Sequence, residues 1–115
     1  LLDSFQRAHQ AGVRIAAGND AFADWVPIAD MAGELEAMVR YGMDPHSALI
    51  AATANAAQLL QLADEGVVKP GSRANLVVLD DDPLKDIHAV GRVYAVMKDG
   101  GWVAQADHPG GEVSW

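Results

Sequence analysis

One short apolar run constrains this chain more than any other feature. Val13, Ile15, Ala16 and Ala17, interrupted by Arg14, are cut off at Gly18, Asn19 and Asp20. Such near-continuous apolarity suits a β-strand covered on both faces. A strand of that kind leaves two unpaired edges unless neighbouring strands flank it. The sequence around it is helical instead. Residues 2–10 place Leu2, Phe5, Ala8 and His9 at helical spacing and stop at Gly12. Residues 30–41 put Met31, Leu35, Met38 and Val39 on one face, and Gly42 ends that helix. A third helix starts at Asp44, an N-cap residue followed by Pro45 at the first helical position. It continues through Leu49 and Ala52 and restarts at Thr53, with Ala56, Leu59 and Leu60 keeping the period. The first 63 residues therefore read as helix, strand, then helices, which does not look like a closed domain. The expectation is a piece of a longer protein.

After Gly66 the period changes to that of strands. Lys69, Pro70, Gly71 and Ser72 make a turn with Pro second and Gly third, as type II turns prefer. Residues 76–79, 93–97 and 102–104 are β-rich runs, and Asp99-Gly100-Gly101 between the last two is a hairpin signal. The acidic stretch 80–82, with Pro83, reads as a solvated loop, because it lacks the alternating ligands and closing Glu of a calcium loop. Residues 107–115 read as a loose tail.

Charge and composition narrow the partners. Sixteen Asp and Glu against eight Lys and Arg give a net charge of −8, and the basic residues are scattered singly, which argues against nucleic acid. Half the residues are apolar, so the chain is not a disordered tail. The absence of cysteine removes a disulfide scaffold, a thiolate metal site and a cysteine nucleophile together. The longest uncharged stretch, 47–63, is alanine-rich and carries Ser, Thr, Asn and Gln, so no membrane span is expected. The acidic, cysteine-free composition is compatible with a bacterial-type cytoplasm.

Asp20 is the candidate for chemistry. It follows the apolar strand directly, and in α/β barrels catalytic groups sit at the C-terminal ends of strands, where the strand body holds them rigidly. An Asp after a strand also serves as a turn former or as the N-cap of the next helix, and spacing alone leaves these readings open. The loop that follows, with Phe22, Asp24 and Trp25, reads equally as pocket lining or as a packed plug. Glu34 and Glu36 lie two apart on a helix and point in different directions, so they do not pair as acid and base.

Four phrases, in order, resemble the C-terminal part of a metal-dependent amidohydrolase, the superfamily of imidazolonepropionase and of prolidase-like and carboxypeptidase-like enzymes. GVRIAAGNDA stands where the family has its eighth barrel strand and a Gly-Thr-Asp or Gly-Ser-Asp motif. GELEAMVRYGMDPHSALIAATANAAQLL resembles the helical stretch after it, and EGVVKPGSRANLVVLDDDPLKDI and VYAVMKDGGWV resemble the terminal strands. The resemblance implies an α/β fold: residues 1–63 as the end of a TIM-like (β/α) barrel, and residues 64–106 as strands of a composite β-sandwich. It also implies that Asp20 is the catalytic aspartate, touching a divalent metal, usually zinc, and taking a proton from the attacking water. The parent would hydrolyse an amide-type C–N bond in a small-molecule amide or peptide.

Asn19 departs from the family's Thr or Ser, and Asn75 replaces an Asp that is expected to be structural. The family's His-x-His pair and other ligands would lie upstream of Leu1, so this chain alone is not expected to complete a metal site. His9, His46, His88 and His108 are unpaired at ligand spacing and read as surface or structural residues. Two rivals remain: a deaminase that uses the same aspartate, and a non-catalytic interaction module.

Overall fold

The computed structural model describes residues 2–19 and 30–114. Four helices come first: α1 (Leu2–Gln10), α2 (Met31–Arg40), α3 (Pro45–Ala52) and α4 (Ala54–Leu59). Strands β1 (Leu76–Leu79), β2 (Val93–Lys98), β3 (Gly101–Ala106) and β4 (Val113–Ser114) follow, and a 3-10 helix, Ile87–Gly91, lies between β1 and β2.

Local chemistry sets the helix boundaries. The Asp30 carboxylate accepts the Gly33 N–H at 2.8 Å and opens α2. The Asp44 carboxylate accepts both the Ser47 N–H at 2.9 Å and the Ser47 hydroxyl at 2.6 Å, and Pro45 occupies the first turn of α3. Helices α2 and α3 bury Leu35, Met38, Met43, Ala48 and Ala51 together with Ile87, and Phe5, Ile15, Ala17 and Val90 pack against that cluster. Ile87 reaches this core from the β1–β2 connection, so the 3-10 helix docks the sheet on the helical layer.

The sheet is an antiparallel meander in the order β1-β2-β3-β4. Lys98 pairs with Gly101 across a two-residue turn whose Asp99 and Gly100 have φ of 49° and 82°. Positive φ at both positions is the type I′ geometry that matches strand twist. Asn75 tethers this turn by accepting the Asp99 N–H at 2.8 Å, which is a structural role. The Arg73 guanidinium reaches Asp99 at 3.1 Å, Glu65 at 3.2 Å and Asp64 at 3.3 Å, tying the chain ahead of β1 to the hairpin.

Among the described residues the run 13–17 is extended and joins no sheet, and the paired strands all belong to the meander. One expectation is corrected. Residues 107–114 are not loose: the Gly110 N–H donates to Asp80 at 2.8 Å, and Gln105 and Ala106 pair with Ser114 and Val113. The acidic loop is exposed at Asp81 and Asp82, as a solvated turn should be, and it is also tied within the chain: Asp81 pairs with Arg92 at 3.1 Å and the Asp82 carboxylate accepts the Leu84 N–H at 2.9 Å.

The core is thin. Many of its buried residues are alanines, whereas Val68, Leu59, Leu60, Val77 and Trp102 are exposed by 86%, 71%, 67%, 59% and 57%. Burying a Val or Leu side chain contributes about 1.5–3 kcal/mol, so these residues forgo a stabilisation comparable to that of the core itself.

Two measurements test this packing. Gly66 has φ of +82°, and a Cβ there would lie 2.7 Å from the Ala57 Cβ and 2.8 Å from the Thr53 carbonyl oxygen, whereas Gly12 at φ +75° has nothing within 4 Å. In urea unfolding Gly66→Ala should therefore cost about 2–4 kcal/mol and Gly12→Ala only about 1–2. The second concerns pH. The hydroxyl and N–H of Ser47 hold the Asp44 carboxyl below its ordinary 3.8. A carboxyl depressed by folding adds stability above its unfolded value, and that stability is lost as pH falls through the folded one. The advantage of the native chain over Asp44→Asn should be full at neutral pH and shrink steadily below about pH 4.

Candidate active site at the end of the extended segment

Sequence reasoning placed the chemistry at Asp20, which lies outside the described residues, as does the loop with Phe22, Asp24 and Trp25. What the structure shows is how the segment leading to Asp20 is held. The holding element is the corner between α3 and α4.

That corner exists because the helix breaks at Thr53, whose φ and ψ of −122° and −89° are not helical. In an unbroken helix the Leu49 carbonyl would accept the Thr53 N–H. Here it accepts the Thr53 hydroxyl at 2.7 Å, while the Thr53 N–H turns to the Ile50 carbonyl at 3.3 Å. The break leaves the last carbonyls of α3 without helical partners. One of them, Ala51, accepts the N–H of Ala17 at 2.9 Å.

Asn55, in the first turn of α4, adds a second tie, its side-chain amide donating to the Ile15 carbonyl at 2.8 Å in a half-buried setting. In an extended chain alternate residues present their backbone groups to the same side. The Ile15 carbonyl and the Ala17 N–H are therefore the pair that one corner can grip. A third contact runs from the Arg14 guanidinium to the side-chain oxygen of Gln58. Asn19 is half-buried, and its side-chain nitrogen is shielded and has no partner among the described residues.

A cleft of about 490 Å³ beside the β3–β4 connection is lined by Asp80, Arg92 and Glu112, and two clefts flank α4. One of about 280 Å³ lies between Arg14, Ile15 and Ala16 and Asn55, Gln58 and Leu59. Another of about 400 Å³ runs along α4 to Glu65 and Val67, and Glu65 is paired with Arg73. Neither holds an acid/base pair.

Among the described residues no group of three or more His, Asp and Glu side chains could hold a metal ion. His46, His88 and His108 are exposed and His9 is half-buried. His88 is the most engaged, its Nδ1 lying 2.7 Å from Asp86 and its Nε2 3.8 Å from Glu36. The His88 ring and backbone N–H hold the Asp86 carboxyl below its ordinary value. The Asp86 carboxylate caps the 3-10 helix by accepting the His88 N–H at 3.0 Å, and Ile87 packs that helix against α2. No described helix is long and apolar enough to cross a membrane.

Asn55 and Ala51 were missed from the sequence. The available signal was Thr53 and Asn55 inside an otherwise alanine-rich helical run, because both residue types favour helix ends over helix interiors.

Residues 2–103 match the amidohydrolase family. The chain is 47% identical over 68 residues to adenine deaminase 2 of Rhizobium etli, covering 59% of this chain and 10% of that protein. It is 46% identical over 69 residues to imidazolonepropionase of Pyrobaculum arsenaticum, covering 59% of this chain and 17% of that one. A solved Xaa-Pro dipeptidase with methionine bound in its active site superposes with a TM-score of 0.79 at 33% identity, over 88% of this chain and 25% of the dipeptidase. This chain belongs to the amidohydrolase family. It spans between a tenth and a quarter of the length of these relatives.

A zinc titration tests the ligand count. Catalytic zinc takes three protein ligands, and the described residues supply no such set. Calorimetry on the 115-residue chain should find no stoichiometric site of micromolar or better affinity. A site of that strength that disappears in Asp20→Ala would show that the chain binds metal unaided.

Proposed function

We propose that this chain is the C-terminal part of a metal-dependent amidohydrolase that cleaves an amide-type C–N bond in a small-molecule amide or a peptide. Residues 1–63 supply the last barrel strand and the closing helices, and residues 64–106 supply strands of a β-sandwich beside the barrel. The observation that carries this reading is the family match over residues 2–103, and the exposure of the large apolar side chains Val77, Trp102 and Leu59 supports it. The low share of the relatives' length supports it, since the rest of a barrel must come from elsewhere.

Within this reading Asp20 is the catalytic residue. A carboxylate can accept a proton from the attacking water and return it to the leaving nitrogen, serving both halves of the reaction. The same carboxylate suits a hard divalent cation and would give one donor, with the others outside this chain. Zinc, when bound, supplies a water acidic enough to ionise near neutral pH.

A second reading, deamination, is favoured by the adenine deaminase among the relatives. The two part on product: deamination of a purine releases ammonia, whereas cleavage of a dipeptide releases two amino acids.

The test is to recover the coding sequence upstream of Leu1, look there for His-x-His, and assay the full-length protein on Xaa-Pro dipeptides, N-acyl amino acids and adenine. Asp20→Asn keeps the shape of the side chain and cannot accept a proton. It should lower kcat by at least about a hundredfold, with KM within about threefold and metal content unchanged. A variant that keeps more than a tenth of the native kcat would reduce Asp20 to a turn residue.

A further inference from the structure

The turn between β2 and β3 carries the sequence's only Asp-Gly pair, Asp99-Gly100, and no Asn-Gly pair occurs. The side-chain carbonyl carbon of an Asp lies within five-membered-ring reach of the next residue's backbone nitrogen. Attack there meets least resistance when that residue is Gly, which has no Cβ to shield its nitrogen. The bond that forms joins the Gly100 nitrogen to the Asp99 Cγ, and the amide proton leaves with the hydroxyl of the protonated carboxyl as water. Water then opens the ring at the Asp99 main-chain carbonyl and breaks its bond to the Gly100 nitrogen. The product is isoaspartate, in which the main chain runs through the Asp99 Cβ and Cγ. The water lost in the first step is regained in the second.

Both residues are exposed, so water reaches them. Each reacting group is nevertheless engaged elsewhere. Attack requires the Gly100 nitrogen to lose its proton, and that N–H donates to the Ala74 carbonyl at 3.1 Å. The Asp99 carboxylate is drawn to the Arg73 guanidinium at 3.1 Å, and a charged, paired carboxylate is a poor electrophile. The Asn75 side chain accepts the Asp99 N–H at 2.8 Å and fixes that backbone at φ 49°. Three consecutive residues ahead of β1 thus supply all three restraints.

We propose that Asp99-Gly100 is a latent site of aspartyl isomerisation, held in the aspartyl form by the clasp of Arg73, Ala74 and Asn75. The reaction proceeds only while the clasp is open, so its rate follows the open fraction. Conversion adds a main-chain atom to a two-residue loop and costs the Lys98–Gly101 pairing that closes β3 on β2.

The experiment incubates the full-length protein at neutral pH, with and without denaturing urea. Isoaspartate has the mass of aspartate, so it is read by labelling with an isoaspartyl methyltransferase and located on the peptide that carries residue 99. The native protein should convert at least about tenfold more slowly than the unfolded one. Arg73→Gln and Asn75→Ala, each still melting cooperatively, should convert about two- to fivefold faster than the native protein. Lys85→Ala removes an exposed ion pair to Asp82 elsewhere and should leave the rate unchanged.

Absence of isoaspartate at residue 99 in urea would overturn the site, and equal rates in the native and unfolded protein would overturn the protection. Folded clasp variants that convert at the native rate, or a Lys85→Ala that speeds conversion as much as Arg73→Gln, would overturn the assignment to these residues. If neither clasp variant folds, amide exchange of the native protein decides: a protected Gly100 N–H upholds the clasp, and one that exchanges at the rate of an open chain overturns it.

Discussion

The break in the helical run at Thr53 is the constraint on which the arrangement depends. An alanine-rich stretch such as 47–63 would otherwise extend as one helix, with the Ala51 carbonyl spent on the N–H of residue 55. By giving its hydroxyl to Leu49 and its N–H to Ile50, Thr53 ends α3 and leaves the Ala51 carbonyl for Ala17. It also starts α4 at an angle that brings Asn55 to Ile15. On the other side of the corner Gly66 fits where any Cβ would strike Ala57 and the Thr53 carbonyl. The extended segment, the helices and the link toward the sheet thus meet at one point.

Around that point the packing is uneven in an informative way. The helical layer closes over Leu35, Met38, Met43 and Ile87, and the β1–β2 connection delivers Ile87 through a 3-10 helix capped by Asp86. The sheet instead leaves Val77, Val103 and Trp102 exposed while burying the alanines at 95, 104 and 106. Alanine burial contributes far less per residue than that of larger side chains. The chain spans a tenth to a sixth of the length of the adenine deaminase and imidazolonepropionase relatives.

Much of this was legible in the sequence because local chemistry decides it. Asp44-Pro45 marked the start of α3, the stop at Gly12 closed α1, and Asp99-Gly100 marked the hairpin, since caps and type I′ turns need particular side chains or particular φ values. Thr53 was legible as a restart. What the run at 13–17 pairs with was not legible: apolarity says that a segment is covered, not by what, and here helix-corner groups engage it. The roles of Asn55 and Gly66 were hidden for the same reason, as each acts on residues distant in sequence. The ties of the acidic loop and the tail were hidden too, because Asp80 and Gly110 meet only once the sheet has formed.

Amide hydrogen exchange on the 115-residue chain, read residue by residue, tests the grip of the corner on the extended segment most directly. The Ala17 N–H, bonded to the Ala51 carbonyl, should exchange as slowly as the central amides of α3, and Asn55→Leu should speed its exchange at least about tenfold while leaving the β2–β3 hairpin amides unchanged. An Ala17 amide that exchanges at the rate of an open chain, while α3 stays protected, would show that the corner does not hold the segment and would contradict the account.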